Sequence, residues 1–507
     1  MLLNIIRHCG YNDKLVFPAK QWYDRKDSHG KEKRKAKEEV MKLRSKFIGD
    51  RDFYKMVLMI AVPIMIQNGI TNFVSLLDNI MIGQVGTEQM SGVAIVNQLI
   101  FVYNLCIFGG VSGAGIFTAQ YFGQGNHEGV RQTMRFKLWM VTIITTLTAV
   151  LFLGFGTTLI GAYLKGEGSA ESIAETLFHG EKYLKIMLIG LPAFAAVQIY
   201  SSTLRECGQT LLPMKAGIAA VIVNLVFNYI LIYGKFGAPA LGVSGAAIAT
   251  VLSRYVEMLI TVIGVHRKSH GEQAVYSFVA GLYKTLKVPR KLAFKIIRKG
   301  SPLLFNETLW AAGMAMLTQC YSVRGLNVVA GLNVSNTINN VFNIVFIALG
   351  DSVAIIVGQL LGAGKMKEAR DTDNKMIAFS VMCCTGVALV MFLLAPLFPG
   401  LYKINDEARL LAKYFIMVTA LFMPQNAFLH ASYFTLRSGG KTIITFLFDS
   451  VFIWCVSVVI AFTLSHYTAL PVIAVYAMVQ LGDIIKCIIG FILVKKGIWL
   501  QNIVANG

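Results

Sequence analysis

Twelve stretches of this sequence each run close to the roughly 20 apolar residues that a helix needs to cross a bilayer, separated by charged or Gly/Pro-rich breaks. They fall near 55–80, 90–120, 138–161, 184–204, 212–234, 244–265, 301–322, 329–357, 376–398, 411–435, 442–465 and 470–494. Backbone groups in hydrocarbon must be satisfied internally, so runs this long and this continuously apolar are helices, not the alternating strands of a barrel. Composition agrees: 55% of the 507 residues are hydrophobic and 15% charged, against about 25% charged in soluble domains. The expected fold is an all-α membrane protein of twelve transmembrane helices.

The net charge of +20 would suit nucleic acid, but its placement argues for a membrane. Residues 1–54 hold 14 Lys/Arg against 8 Asp/Glu, and residues 266–300 hold 9 against the single Glu272. Six spans separate these segments, so both lie on one side, and Arg131, Arg135, Lys137, Arg205, Lys215, Lys365, Lys367, Arg370, Arg437 and Lys441 join them there. That is the positive-inside pattern, with both termini cytoplasmic. No nucleic-acid partner is expected, since KEKRKAKEEVMKLR mixes signs as a solvated surface helix does. The eight cysteines show no CxxC spacing and no histidines at metal distance, so no metal or other cofactor is expected. Neither HExxH, GxSxG nor a P-loop is present, which argues against an enzyme.

The chain repeats itself. Pro63 and Pro302, Gly86 and Gly325, Asn97 and Asn336, Gln120 and Gln359, Gly123 and Gly362, and Arg131 and Arg370 are all 239 apart. Later the spacing is 232, which aligns Pro192 with Pro424 and LRECGQT (204–210) with LRSGGKT (436–442). Because an even number of spans intervenes, the repeats share one orientation: two six-helix lobes related by a pseudo-twofold axis along the membrane normal. The expected layout is a basic cytoplasmic tail (1–54), an N-terminal lobe (55–266), a basic cytoplasmic linker (267–299), a C-terminal lobe (300–496) and a cytoplasmic C-terminal tail (497–507).

Each lobe has one wet helical face. At about 100° per residue, Gln67, Asn68, Thr71, Asn72, Ser75, Asp78 and Asn79 share one side of span 1. On span 8 the shared side holds Asn333, Asn336, Asn340, Asn343 and Asp351. A carboxylate at membrane depth costs several kcal/mol, so Asp78 is expected to have a use. Asn224 and Asn228, four apart on span 5, are its expected company. Arg254 with Glu257, and Asp483 with Lys486, are expected to pair as braces; His430 reads as a core histidine and Asp449 as reaching water.

DNIMIGQVG after a polar span 1, AQYFGQG and GQLLGAG closing spans 2 and 8, and LRxxGxT after spans 4 and 10 together resemble the multidrug and toxic compound extrusion (MATE) family, over residues 55–496. The resemblance implies a cation-coupled antiporter of two lobes that exports organic, often cationic or amphipathic, compounds from the plasma membrane in exchange for H+ or Na+. Its expected partners are small-molecule substrates and the lipid bilayer, and it is expected to act as a monomer. Many family members carry an aspartate where Asn228 stands here. Sodium-coupled members carry an acid at the position of Asn426 and a glutamate on span 7 that Glu307 echoes. The expected sites are therefore cation coupling at Asp78, Asn224 and Asn228, and a cavity formed by Gln67, Thr71, Asn72, Ser75, Glu307, Asn336, Asn340, Asn343, Asp351 and Asn426. A lipid-linked glycan flippase of the same superfamily is the alternative; it usually has extra spans and cavity arginines, and spans 1, 2, 7 and 8 carry none mid-span.

Overall fold

The computed structural model describes residues 46–164, 169–269, 275–402 and 404–505, apart from the side chains of Ser75, Leu76, Asn79 and Ile80. Most of the expected basic tail and the middle of the expected linker lie outside the described residues. Asp50–Gly507 forms one unit, made of long helices: α1 (Arg51–Gly83), α2 (Thr87–Gly123), α3 (His127–Tyr163), α4 (Ala170–Glu206), α5 (Leu211–Tyr233), α6 (Val243–Arg267), α7 (Arg290–Ser322), α8 (Leu326–Gly362), α9 (Met366–Leu394), α10 (Asp406–Ser438), α11 (Thr442–Tyr467) and α12 (Val472–Lys496). Ten of these are long and apolar enough to cross a membrane on composition alone. The other two, α7 and α10, carry charged first turns and, further along, polar residues such as Glu307, Gln425 and Asn426. Lipid-facing surface is plain on α3, where Leu147, Val150, Leu153 and Phe155 are all more than half exposed.

The repeat is carried into the backbone. α1 and α7 are both 33 residues long and begin 239 apart, at Arg51 and Arg290; α2 and α8 are both 37 residues long and begin at Thr87 and Leu326. α7 thus reaches back into the segment expected to link the lobes. Pro63 and Pro302 lie inside α1 and α7, and Pro192 and Pro424 inside α4 and α10. The glycines of the repeated motifs have a backbone reason. Gly125 and Gly364 both have φ 75°, and Gly208 and Gly440 have φ 75° and 70°, left-handed turns that favour residues without a Cβ.

Contacts between the lobes are reciprocal, as a twofold axis requires. Gln120 of α2 donates through Nε2 to the Ser438 carbonyl at 2.9 Å, and its counterpart Gln359 of α8 donates to the Glu206 carbonyl at 2.9 Å. Ser438 and Glu206 are themselves 232 apart, so each lobe offers the other the same pair of groups. The first helix of each lobe also packs into the opposite lobe: Val57, Ile60, Ala61 and Ile64 of α1 join a core with Val353, Ile356 and Met376. Leu292 and Ile296 of α7 join one with Phe117, Tyr121 and Met134.

The end of the chain, expected as a cytoplasmic tail, packs against both lobes. Trp499 is fully buried and Val504 sits in the first-lobe core. The Ile503 amide donates to Gln120 Oε1 at 2.8 Å, Gln120 Nε2 donates to the Gln501 carbonyl at 3.1 Å, and Asn502 Nδ2 donates to the Gly362 carbonyl at 3.0 Å. The segment is a strap that runs under the α2–α8 crossing and ties both lobes at the end bearing the basic loops.

Candidate functional site

Asp78 stands near the end of α1, where that helix packs against α5. Asn228 Nδ2 donates to Asp78 Oδ1 at 2.5 Å and to Asn224 Oδ1 at 3.1 Å, and Asn224 Nδ2 continues to Thr250 Oγ1 of α6 at 3.3 Å. The sequence-expected trio is brought together, with Thr250 as a fourth member that periodicity did not single out. Asn224 and Asn228 are 4% and 1% exposed, and Asn228 Oδ1 has no hydrogen-bond partner among the described residues. A buried amide oxygen without a donor costs about 1–3 kcal/mol, so the chain of oxygens is open on one side to a proton or a small hard cation. Arg254 of α6 is within electrostatic reach of Asp78 and is held by Glu257 at 2.9 Å, the brace expected from the sequence.

Thr71 Oγ1 donates to the Gln67 carbonyl at 2.9 Å, the Gln67 side chain lies against Gly217 of α5, and Asn72 is exposed. Ser75 is a site expectation whose side chain lies outside the described residues.

In the second lobe the expected residues divide. Asn336 and Asn340 of α8 are exposed, and Asn343 and Asn426 are partly buried. The asparagine of α8 that does enter a buried network is Asn339, at the edge of that stripe. Its Nδ2 lies 3.3 Å from Ser335 Oγ and 3.3 Å from Thr419 Oγ1, and Thr419 reaches the Tyr476 hydroxyl at 3.0 Å. Glu307 is within electrostatic reach of Arg437, Asp449 and Asp351. Its neighbour Asn306 anchors a cluster that the sequence did not reveal. Asn306 Nδ2 donates to Asp449 Oδ2 at 3.2 Å, its Oδ1 accepts from Ser450 Oγ at 2.8 Å, and Lys486 Nζ donates to Asp449 Oδ1 at 2.7 Å. This corrects one expectation: Lys486 forms its ion pair with Asp449 and not with Asp483. The cause lies in α11, which widens into π turns over Leu447–Val451 and Ile453–Ser457 and so re-aims Asp449.

Between the lobes lies a cavity of about 100 Å³, lined among others by Arg205, Glu206, Asp351 and Arg437. Arg205 and Arg437 are 232 apart, so the two motif arginines approach one space from opposite lobes, and both are within electrostatic reach of Asp351. Glu206 is held from behind by Lys137, a fully buried ammonium that also lies 3.2 Å from Ser202 Oγ and 3.2 Å from Thr203 Oγ1. Removing one member of a buried pair strands the other charge. Lys137→Met is therefore expected to lower stability by about 3–5 kcal/mol, and Lys137→Met/Glu206→Gln to recover most of that. Thermal unfolding of the three proteins in detergent checks it; identical midpoints would leave the pair without a stabilising role.

Residues 63–230 and 302–464, one block from each lobe, both match MatE. The chain belongs to the MatE family. It is 25% identical over 454 residues to the probable multidrug resistance protein NorM of Thermotoga maritima, covering 89% of this chain and 94% of that one. It is likewise 25% identical over 416 residues to the multidrug resistance protein PmpM of Pseudomonas aeruginosa, covering 81% and 83%. The solved structure of a multidrug resistance MATE family transporter of the MOP superfamily, in an outward-facing conformation, superposes with a TM-score of 0.78 at 19% identity, over 88% of this chain and 96% of that one. The all-α fold of two repeated lobes is thus the MATE fold, and the chain is a multi-pass membrane protein of a family of multidrug transporters, not of enzymes.

Proposed function

We propose that this MATE protein exports small organic compounds, cationic or amphipathic in character, across the plasma membrane in exchange for H+ or Na+. The observation that carries the reading is the buried chain Asp78–Asn228–Asn224–Thr250, which couples a carboxylate on α1 to two helices of the same lobe. An ion bound at Asp78 neutralises the charge that would hold a cationic substrate and changes how α1 packs against α5. The substrate is released on one side, and the protein resets when the ion leaves on the other. Only a difference in ion affinity between the two lobe arrangements can drive that cycle, about 1.4 kcal/mol for each tenfold of bias. The basic loops support a cytoplasmic side for both chain ends, and the protein acts as a monomer. Asp351, Glu307 and the asparagines of α8 line the substrate's path in the second lobe.

The test is uptake of a fluorescent organic cation into proteoliposomes with a proton gradient or a sodium gradient imposed separately and no ATP. Accumulation under one gradient, absent without it, is expected. Equal accumulation with no gradient at all would sink the antiport reading.

A further inference from the structure

A second and larger cavity, about 770 Å³, opens at the end of the molecule that carries the basic loops. Its wall includes Lys295, Arg298 and Lys299 of α7, Lys441 at the start of α11, Phe117 of α2 and Ile503 of the strap, and no Asp or Glu lines it. Lys299 is within electrostatic reach of both Lys441 and Arg298, and it donates to the Gly440 carbonyl at 2.8 Å. Like charges gathered this closely repel one another, and no ion pair among the described residues brings a carboxylate to Arg298, Lys299 or Lys441. Beside the cavity Phe294, Ile297 and Ile443 are 66%, 56% and 62% exposed, an apolar surface suited to hydrocarbon and not to water.

Concentrated positive charge beside exposed hydrocarbon-facing side chains, at the cytoplasmic edge of a membrane protein, matches a headgroup above its acyl chains. We propose that this cavity binds the phosphate of an anionic phospholipid, with its chains lying along Phe294, Ile297 and Ile443. The shared chemistry is a phosphate anion, and the apolar flank assigns it to a lipid over a free phosphate. The wall draws on α2 of the first lobe, α7 and α11 of the second, and the strap. A bound phosphate would meet the cations of α7 and α11 beside the strap. The site is separate from the transport reading and is tested without any transport measurement.

The experiment titrates full-length detergent-purified protein with phosphatidylglycerol or phosphatidylcholine and counts bound lipid by native mass spectrometry. Wild type is expected to retain phosphatidylglycerol in preference to phosphatidylcholine. Arg298→Gln/Lys441→Gln is expected to weaken the anionic lipid roughly thirtyfold, about 1 kcal/mol per charge at about 1.4 kcal/mol per tenfold. Lys299 is left in place because it also bonds the backbone. Lys365→Gln/Lys367→Gln, the same charge change elsewhere on that side, is expected to bind as wild type does. Should the double variant unfold, Lys441→Gln alone is expected to lose about fivefold. Equal loss in both double variants, or none in either, overturns the site. Complete displacement of phosphatidylglycerol by excess inorganic phosphate overturns the lipid assignment, and retention supports it.

Discussion

Asp78→Asn is expected to leave a folded, membrane-inserted protein that cannot convert an ion gradient into efflux. The amide keeps the shape of the carboxylate and can accept from Asn228 Nδ2, so the bonds that link α1 to α5 and α6 have an acceptor to replace the one removed. What it cannot do is gain and lose a charge. If ion binding at this position switches α1 between two packings, a permanently neutral side chain holds one of them, and ion affinity no longer differs between the two lobe arrangements. Gradient-driven accumulation should fall to passive leak, and substrate binding should lose its dependence on pH or sodium while remaining measurable. The two readouts separate coupling from structure, since a brace would change the melting temperature and leave the ion dependence in place. Wild-type rates of uphill accumulation by purified Asp78→Asn would make Asp78 a structural residue.

How much of this was legible in the sequence depends on how local each feature is. Asn224 and Asn228 are one helical turn apart and Asp78 closes a polar face, so periodicity was enough to bring these residues together. The pseudo-twofold axis was legible for a related reason: spacings of 239 and 232 fall on Pro, Gly and Gln positions that fix backbone turns and the lobe crossing. Asn306 lies on α7, far in the chain from Asp449 and Lys486 on α11 and α12, and Asp449 depends on a π turn that has no sequence signature strong enough to read. The stripe on α8 shows what periodicity leaves open. Periodicity grouped Asn336, Asn340 and Asn343, yet the buried, bonded residue is Asn339, because a polar stripe does not say which face the neighbouring helices cover. The packing of the strap was not legible because a short segment after the last apolar run carries no periodicity, and Trp499 is buried in a core drawn from α1, α8, α9 and α10.

The backbone crossing of α2 and α8 leads to the second large effect. A Cβ at Gly123 would lie 1.9 Å from the Gln359 carbonyl oxygen, and one at Gly362 would lie 1.9 Å from that of Gln120. Both obstacles are backbone and cannot rotate away, so Gly123→Ala or Gly362→Ala must push the two helices apart. That strains the bonds from Gln120 and Gln359 to Ser438 and Glu206, and the strap with them. Overpacking of this kind costs about 1–3 kcal/mol or more. In a protein that alternates between two lobe arrangements, the cost falls on the one in which the crossing is closed. Roughly 3 kcal/mol would shift that equilibrium more than a hundredfold towards the arrangement with the basic end open. Both variants are expected to lose gradient-driven transport to a similar extent, because the two positions are equivalent about the pseudo-twofold axis. Gly154→Ala on α3 is the control: a Cβ there meets nothing within 4 Å, so it should raise stability by about 0.5–1 kcal/mol and leave transport intact. Melting temperature and proteoliposome transport measured side by side decide the matter. If Gly123→Ala transported as well as Gly154→Ala, the crossing would not be the closed contact on which alternation turns.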